Sequence, residues 1–427
     1  MVAHRFRQIP SVAWWVRLLL VCLWCPIVPA KEAEPVDLFT AGAGGYVMYR
    51  IPGIAVTGRG TMLVYCEARA GQGDWTPQDV LLRRSIDGGR TWSEPRQMAK
   101  APPDLKPNPA GLKQKLSTAD VAAGKFTAHN AVAIPDLEPG VVHFLYHIEY
   151  ARVFYLRSSD DGETWSPPRE ITAVIEGFRD RYPWLVVGNG CGHAIQLARG
   201  PHRGRLVIPL WLSLGTGGHA HRPSDLAVIY SDDRGETWQR GDFIARNGGQ
   251  SASGDEIVNP NETTVVELSD GRVLANIRSE SRRNRRLLSI SADGATGWSK
   301  PEFHEQLLEP VCMGSMARLA DGGLLFANPD NLLVKGKEGK PGQNRDRRNL
   351  TIKLSRDDGK TWPVSQVVEA GPSGYSDLAV GPDGTIHCFF ERGDVKTNYF
   401  HPTALSLACF GLMWLTETKG APKAGEP

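Results

Sequence analysis

Three arginines in this 427-residue chain stand where an apolar strand has little use for a charge. Arg50 interrupts Tyr49-Arg50-Ile51-Pro52, Arg278 follows Ala275-Asn276-Ile277, and Arg347 directly precedes the run from Asn349 to Leu354. A guanidinium stays charged at physiological pH, and burying it is costly unless a carboxylate or an anionic ligand meets it. The three positions therefore imply either internal ion pairs or a site for an anion. Other chemistries have weaker support. His143 and His147 would lie too far apart on a strand to share a metal, and His219 with His221 has no evident carboxylate or thiol companion. Beyond the N-terminal segment the cysteines are Cys66, Cys191, Cys312, Cys388 and Cys409, an odd set whose spacing matches no metal or redox pattern. No metal and no cofactor is expected.

Arginines so far apart in sequence can meet only if the fold gathers distant segments, and the chain carries a repeat that would do so. The phrase Ser-x-Asp-x-Gly-x-Thr-Trp occurs at Ser85 to Trp92, Ser158 to Trp165, Ser231 to Trp238 and Ser355 to Trp362, with a damaged copy at Ser291 to Trp298. Successive starts lie 60 to 73 residues apart, a period that suits a four-stranded propeller blade with its loops. Asp, Gly and Ser supply turn caps and tolerance of positive φ, and the indole can wedge between neighbouring sheets. The phrase is thus a structural hairpin turn, remote from any chemistry. Between the copies run short alternating segments: Gly60 to Cys66, Val141 to Tyr146, Arg205 to Leu210, Arg272 to Ile277, Gly323 to Phe326 and Thr385 to Phe390. Gly- and Asp-containing turns introduce them, and long helical periodicity is absent. The expectation is an all-β, radially repeated single domain whose functional residues converge from one end of several blades.

Composition agrees with a globular fold. The chain is 41% hydrophobic and 22% charged, and 49 basic against 47 acidic residues leave a formal charge of +2. No broad positive field is available for nucleic acid. Arg5, Arg7 and Arg17 accompany an apolar run from Val16 to Ile27 that ends in Val28-Pro29-Ala30. This reads as a signal peptide over residues 1–30, cleaved near Ala30, that exports the protein to a periplasmic, extracellular or lumenal space without a stable membrane span. An uncleaved anchor is the competing reading, disfavoured because the run is short. Residues 36–418 form the expected domain, 419–427 a flexible tail, Ala99 to Lys125 a loop insertion, and Lys335 to Arg348 a basic loop. The glycosylation-like patterns at Asn261 and Asn349 adjoin candidate site positions and are taken as coincidental.

The Arg50-Ile51-Pro52 motif, the repeated Asp boxes and Gly374-Tyr375-Ser376-Asp377-Leu378 occur in the order found in exo-sialidases, and from about Leu38 to Leu415 the chain resembles that family. The resemblance implies a six-bladed β-propeller of four-stranded antiparallel blades with Asp-box turns. It also implies site residues. Arg50, Arg278 and Arg347 fall on the arginine triad that clamps the substrate carboxylate, with Arg348 an alternative for the third. Asp74 falls on the general acid/base, Tyr375 on the nucleophile and Glu262 on the carboxylate that activates it. Glu391 matches the acid that braces the first arginine, Arg69 and Glu67 match further pocket positions, and Asn130 matches another lining residue.

Those residue types suit a sugar that carries a carboxylate on its anomeric carbon. Three guanidiniums can fix that group, and a neutral phenol can approach where a carboxylate nucleophile would be repelled. The resemblance therefore implies a secreted exo-sialidase releasing terminal α-linked sialic acid from glycoproteins, glycolipids or oligosaccharides, with retention through a covalent tyrosyl intermediate. A trans-sialidase, or a hydrolase of a related nonulosonic or ulosonic acid, would share the clamp. A propeller that binds acidic glycans without cleaving them would need the arginines but not an activated tyrosine.

Overall fold

Alternation of β-branched and aromatic residues with glycine turns builds strands almost throughout the computed structural model, which describes residue 1 and residues 34–110, 116–216, 219–332, 345–394 and 400–417. The expected signal segment, the tail after residue 418 and most of the 335–348 loop lie outside the described residues. Helix is confined there to three five-residue segments, Thr118–Ala122, Thr172–Glu176 and Leu412–Thr416. The first of these lies inside the 99–125 insertion.

The strands form five sheets in a propeller-like, all-β arrangement. The first runs Met48–Val56, Met62–Arg69, Gln78–Ser85, Arg96–Gln97, each pairing antiparallel with the next. The second repeats this with Ala128–Pro135, Val142–Ile148, Arg152–Ser158 and Arg169–Glu170, and the two-residue strand Gly192–His193 adds in parallel. The third contains Val186–Asn189, Leu206–Ser213, Ser224–Ser231 and Gln239–Ala245, with Ile195–Gln196 alongside. The fourth contains Thr263–Glu267, Val273–Ile277, Arg285–Ser291 and Glu302–Leu308. The last is seven-stranded, so uniform four-stranded blades are not what the backbone displays. Its 17-residue strand, Val364–Val380, pairs through its first half with Arg348–Ser355 and through its second half with Ile386–Arg392. Val36–Thr40 closes that sheet against Ala404–Phe410, joining the two ends of the described chain.

Each Asp box links the third and fourth strands of its sheet, at the end away from the residues discussed below. In the first, the Asp87 carboxylate accepts from Ser85 Oγ (2.8 Å), Thr91 N–H (3.0 Å) and Thr91 Oγ1 (2.6 Å). Hydrogen bonding from Thr91 and Ser85 holds the Asp87 carboxyl down to about 2. The damaged copy keeps the arrangement through Asp293 and Thr296. The box tryptophans reach between sheets: Trp165 packs on a cluster that combines Leu63 and Leu82 of the first sheet with Phe144 and Leu156 of the second. Arginines reinforce the same seams. Arg96 donates to the carbonyls of Glu163 (2.6 Å) and Gly162 (2.7 Å) in the next box, and Arg169 repeats the contact on Glu236 and Gly235.

One buried carboxylate ties the sheets together between these ends. Asp377 accepts from Ile54 N–H (2.8 Å), Ser315 Oγ (2.7 Å) and Leu378 N–H (3.0 Å), and pairs with His193 Nδ1 (2.7 Å). Gly192, at φ +85°, leaves room for it; a Cβ there would lie 2.7 Å from the Asp377 carboxylate.

Candidate active site

Opposite the Asp boxes, strand ends from several sheets converge on a pocket of about 420 Å³. Arg50 enters from the first strand of the first sheet as the partner of Glu67, just before a register shift that leaves Ile51 and Pro52 unpaired ahead of Gly53. Its guanidinium is buried and grips Glu391 with two bonds, Nε to Oε1 (2.9 Å) and Nη2 to Oε2 (3.1 Å). Glu391 also accepts the backbone N–H groups of Ile51 (3.2 Å) and Tyr375 (3.0 Å). Gly374 makes this approach possible, since a Cβ there would stand 2.1 Å from Glu391 Oε2.

Glu262 and Arg278 flank the first hairpin of the fourth sheet, one residue outside the paired strands Thr263–Glu267 and Val273–Ile277. They ion-pair, and Arg278 Nη1 also donates to Tyr375 Oη (2.6 Å). Tyr375 Oη–H in turn donates to Glu262 Oε1 (2.6 Å). Arg347 precedes Arg348–Ser355 and is buried; its Nη2 donates to the Val311 carbonyl (2.7 Å), while Nε and Nη1 have no hydrogen-bond partner among the described residues. The guanidinium carbons of Arg347, Arg50 and Arg278 lie 5.0, 5.1 and 5.9 Å from the centre of the Tyr375 ring. Three cations from three sheets thus ring one phenol. Arg348, the alternative third arginine, is exposed and bonds Asp346 (2.8 Å).

The electrostatics follow from this crowding. Burial would raise the Glu262 carboxyl, but Arg278, the Tyr375 hydroxyl and Arg347 bring it below the usual range, so it is a carboxylate at neutral pH. Burial pushes the Tyr375 hydroxyl well up; Arg278 and Arg347 oppose that, and the Glu262 charge adds to it. The resting pair is a neutral phenol hydrogen-bonded to an ionised base, the arrangement an activated oxygen nucleophile needs.

Across the pocket, Arg69 bridges Glu67 (Nη2 to Oε2, 2.5 Å) and Asp74 (Nη1 to Oδ1, 2.7 Å). Glu67 is buried and accepts from Asn130 N–H (2.9 Å), and Asn130, at φ +50°, donates its side-chain amide to the Asn189 carbonyl (3.1 Å). The Asp74 side chain retains 43% of its exposure. Burial of its surroundings would raise it, yet Arg69, His221 and Arg50 hold it well below the usual carboxylate range. Every residue assigned from sequence except Glu391 lines the pocket, and Glu391 lies directly behind it. Among the described residues no group of three or more His, Cys, Asp or Glu could hold a metal.

Sequence reasoning missed one wall. Trp75, Tyr150, Trp211 and His221 line it, with ring centres 4.6 to 6.1 Å apart for the contacting pairs. Ala110, from the 99–125 insertion, packs behind this wall with Trp75, Tyr150 and Trp211. Asn108 holds the insertion there by donating to the carbonyls of Glu149 and Leu185 (both 2.9 Å). Also missed were Arg222, Glu280 and Arg345 at another edge of the pocket. The pair His219 and His221 was visible but was weighed only as metal ligands; the adjacency of Trp75 to Asp74 was the available signal for the rest.

Comparisons with known proteins converge on one group. The BNR repeat-like domain family matches residues 140–388. A sialidase of Micromonospora viridifaciens is 32% identical over 401 residues, covering 91% of this chain and 56% of that protein. A sialidase of Bacteroides fragilis is 30% identical over 375 residues, covering 82% of this chain and 61% of that protein. The chain therefore spans little more than half the length of these two curated relatives. Among solved structures, Hadza microbial sialidase Hz136 superposes with a TM-score of 0.67 at 23% identity, over 91% of this chain and 71% of that one. The intramolecular trans-sialidase of Ruminococcus gnavus gives 0.66 at 18% identity, over 90% and 98%.

Proposed function

The chain belongs to the sialidase/BNR-repeat family, and from that premise we propose that it is an exo-sialidase hydrolysing terminal α-linked sialic acids from glycoconjugates. The observation that carries this reading is Tyr375, hydrogen-bonded to Glu262 at 2.6 Å and ringed by Arg50, Arg278 and Arg347. Arg347 lines the pocket with Arg50 and Arg278, so an incoming carboxylate meets three positive charges there. A site meant only to hold an anion has no need of a phenol paired with a base.

In the proposed reaction the substrate carboxylate binds the three guanidiniums, which places the anomeric carbon over Tyr375 Oη. The phenolic oxygen attacks that carbon as Glu262 takes its proton, and the departing glycosidic oxygen takes a proton from Asp74. Water then attacks the same carbon, giving its proton to Asp74, and Tyr375 leaves with the proton held on Glu262. Two displacements retain the anomeric configuration. Glu391 orients Arg50 and the Tyr375 backbone together, while Glu67 and Asn130 fix Arg69 and through it Asp74. No cofactor enters this scheme.

Two further expectations belong to the same reading. The seven-stranded sheet counts as two four-stranded blades sharing one strand, which makes six blades in all. Residues 1–30 act as an export signal, so the substrate is met outside the cytoplasm. Among the described residues no helix is long and apolar enough to cross a membrane. The test of function is Tyr375→Phe, which removes one oxygen. Turnover of a fluorogenic aryl sialoside should fall by a factor on the order of 10³ or more, with the melting temperature nearly unchanged. Turnover at the parent rate would end the mechanism.

A further inference from the structure

Asp377 belongs to the run from Gly374 to Leu378, yet the proposed reaction gives it no task, and it is fully buried. Tyr375 packs in a buried cluster with Ile51, Cys191, Cys312 and Met313. Asp377 stands two residues beyond Tyr375, His193 two beyond Cys191, and Ser315 two beyond Met313. These three side chains meet: Asp377 Oδ1 pairs with His193 Nδ1 (2.7 Å) and accepts from Ser315 Oγ (2.7 Å). Its other oxygen accepts the N–H of Ile54 (2.8 Å), three residues past Ile51. Two residues of chain span at most about 7 Å, so a polar layer lies one step of chain beneath the layer that holds Tyr375. The layers also touch, since a Cβ at Gly192 would lie 2.6 Å from Met313 Cε and 2.7 Å from Asp377 Oδ1.

The polar layer reaches the proposed base as well. Ser315 Oγ accepts from Leu378 N–H (3.0 Å), and the next residue, Met316, donates its N–H to Thr264 Oγ1 (3.3 Å). Thr264 stands two residues beyond Glu262. Both members of the Tyr375 Oη to Glu262 Oε1 bond are therefore tied, two residues away, to one set of hydrogen bonds. The strands that carry them, Val364–Val380 and Thr263–Glu267, lie in different sheets and do not pair with each other. No ladder sets their register, and contacts across the layer must do so.

Resting on the sialidase reading, we infer that Asp377 and Ser315 are positioning residues for the proposed nucleophile: they set the separation of Tyr375 Oη and Glu262 Oε1 without touching substrate. A buried carboxylate tolerates few arrangements that keep its bonds, which makes Asp377 a stiff reference point. Misplacing a reacting group by about 1 Å can cost on the order of a hundredfold in rate. The arginine clamp is anchored elsewhere, Arg50 on Glu391 and Arg347 on the Val311 carbonyl, so substrate binding is spared.

The experiment uses Asp377→Asn, which keeps the shape and removes the charge, and Ser315→Ala, a milder cut should the first not fold. Crystal structures should show Tyr375 Oη and Glu262 Oε1 farther apart than in the parent. With a fluorogenic aryl sialoside, kcat should fall on the order of tenfold to a hundredfold in Asp377→Asn and a few-fold in Ser315→Ala. KM, and the Kd of an unsaturated sialic acid analogue that is not hydrolysed, should stay within about twofold of the parent. In a Tyr375→Phe background neither change should lower the residual rate further, because the group they align is already gone. An unmoved Tyr375–Glu262 pair, an undiminished kcat, a loss carried by KM, or full additivity with Tyr375→Phe would each overturn the inference. A parent protein inert toward the sialoside would instead end the sialidase reading, and the crystallographic comparison would still decide whether these residues set the pair.

Discussion

Asp74 is the side chain whose resting state fits its proposed role least directly. Its ion pair with Arg69, 2.7 Å away, keeps it ionised, yet protonating a leaving group requires the acid form. A sialyl carboxylate entering the arginine ring cancels part of the positive field, and a bound sugar strips water from a half-exposed carboxyl; both raise its proton affinity. The sign of the pH dependence follows. Glu262 is also held low and stays ionised in mild acid, so the free enzyme's competent fraction grows as pH falls from 8 toward 5 and shrinks as pH rises. We expect kcat/KM for a natural oligosaccharide to decline by up to about tenfold per pH unit on the alkaline side, with kcat flatter because the bound state has the raised acid. Stopped assays across that range would show it, and a kcat/KM that climbs with pH would contradict the assignment. Of the charged half of the site, Arg50, Arg278 and Arg347 were legible because a guanidinium in an apolar strand demands an explanation, whereas Asp74, Glu262, Glu67, Arg69 and Glu391 came only from the resemblance to exo-sialidases. The aromatic wall was not legible: Trp75, Tyr150 and Trp211 are residues any core would accept, and only the fold shows them facing a cavity.

At the level of turns and strands, repetition made the architecture readable, and the small departures from it are where energies differ. Trp165 donates its indole N–H to the Gly162 carbonyl (3.1 Å). Trp238 holds the equivalent place in the next box, where an arginine likewise reaches the box glycine carbonyl, Arg169 on Gly235 as Arg96 on Gly162, but its indole nitrogen has no partner among the described residues. Both rings pack on inter-sheet clusters. Replacement by Phe should therefore cost about 1 kcal/mol more at 165 than at 238, the net worth of one hydrogen bond, measured by urea denaturation. Equal costs would mean that the indole bond contributes nothing. The boxes located the third and fourth strands of the first four sheets and one hairpin of the seven-stranded sheet. They could not reveal the rest of that sheet, where the second half of Val364–Val380 runs with the strands ending at Arg392, Phe410 and Thr40 and no box occurs. Nor could alternation show that a 17-residue strand would serve two neighbours, because register depends on partners far away in sequence.

At the scale of the whole fold, the decisive contact is the one that pairs its first described strand with its last. Val36–Thr40 covers the edge of Ala404–Phe410 and buries Leu38 and Phe39 in a cluster shared with Tyr49, Ile54 and Phe389. Deleting residues through Thr40 should remove roughly 3–5 kcal/mol of stability from those two side chains alone and expose an unpaired strand edge. The check is a lowered urea midpoint with accompanying aggregation; an unshifted midpoint would mean that the closing strand is ornamental. Five cysteines, Cys66, Cys191, Cys312, Cys388 and Cys409, are unpaired among the described residues, so no disulfide involving them backs up this closure.

The strand that carries Tyr375 pairs on one side up to residue 372 and on the other from residue 373. Tyr375 Oη, the proposed nucleophile, thus sits just past the point where one strand changes partners, while its hydrogen-bond partners Glu262 and Arg278 flank a hairpin of another sheet. Any shift at that change of partners should detune the alignment before it loosens a single clamp on the guest. Catalytic competence should accordingly be the first property lost under mild stress, well ahead of the ability to hold an acidic sugar.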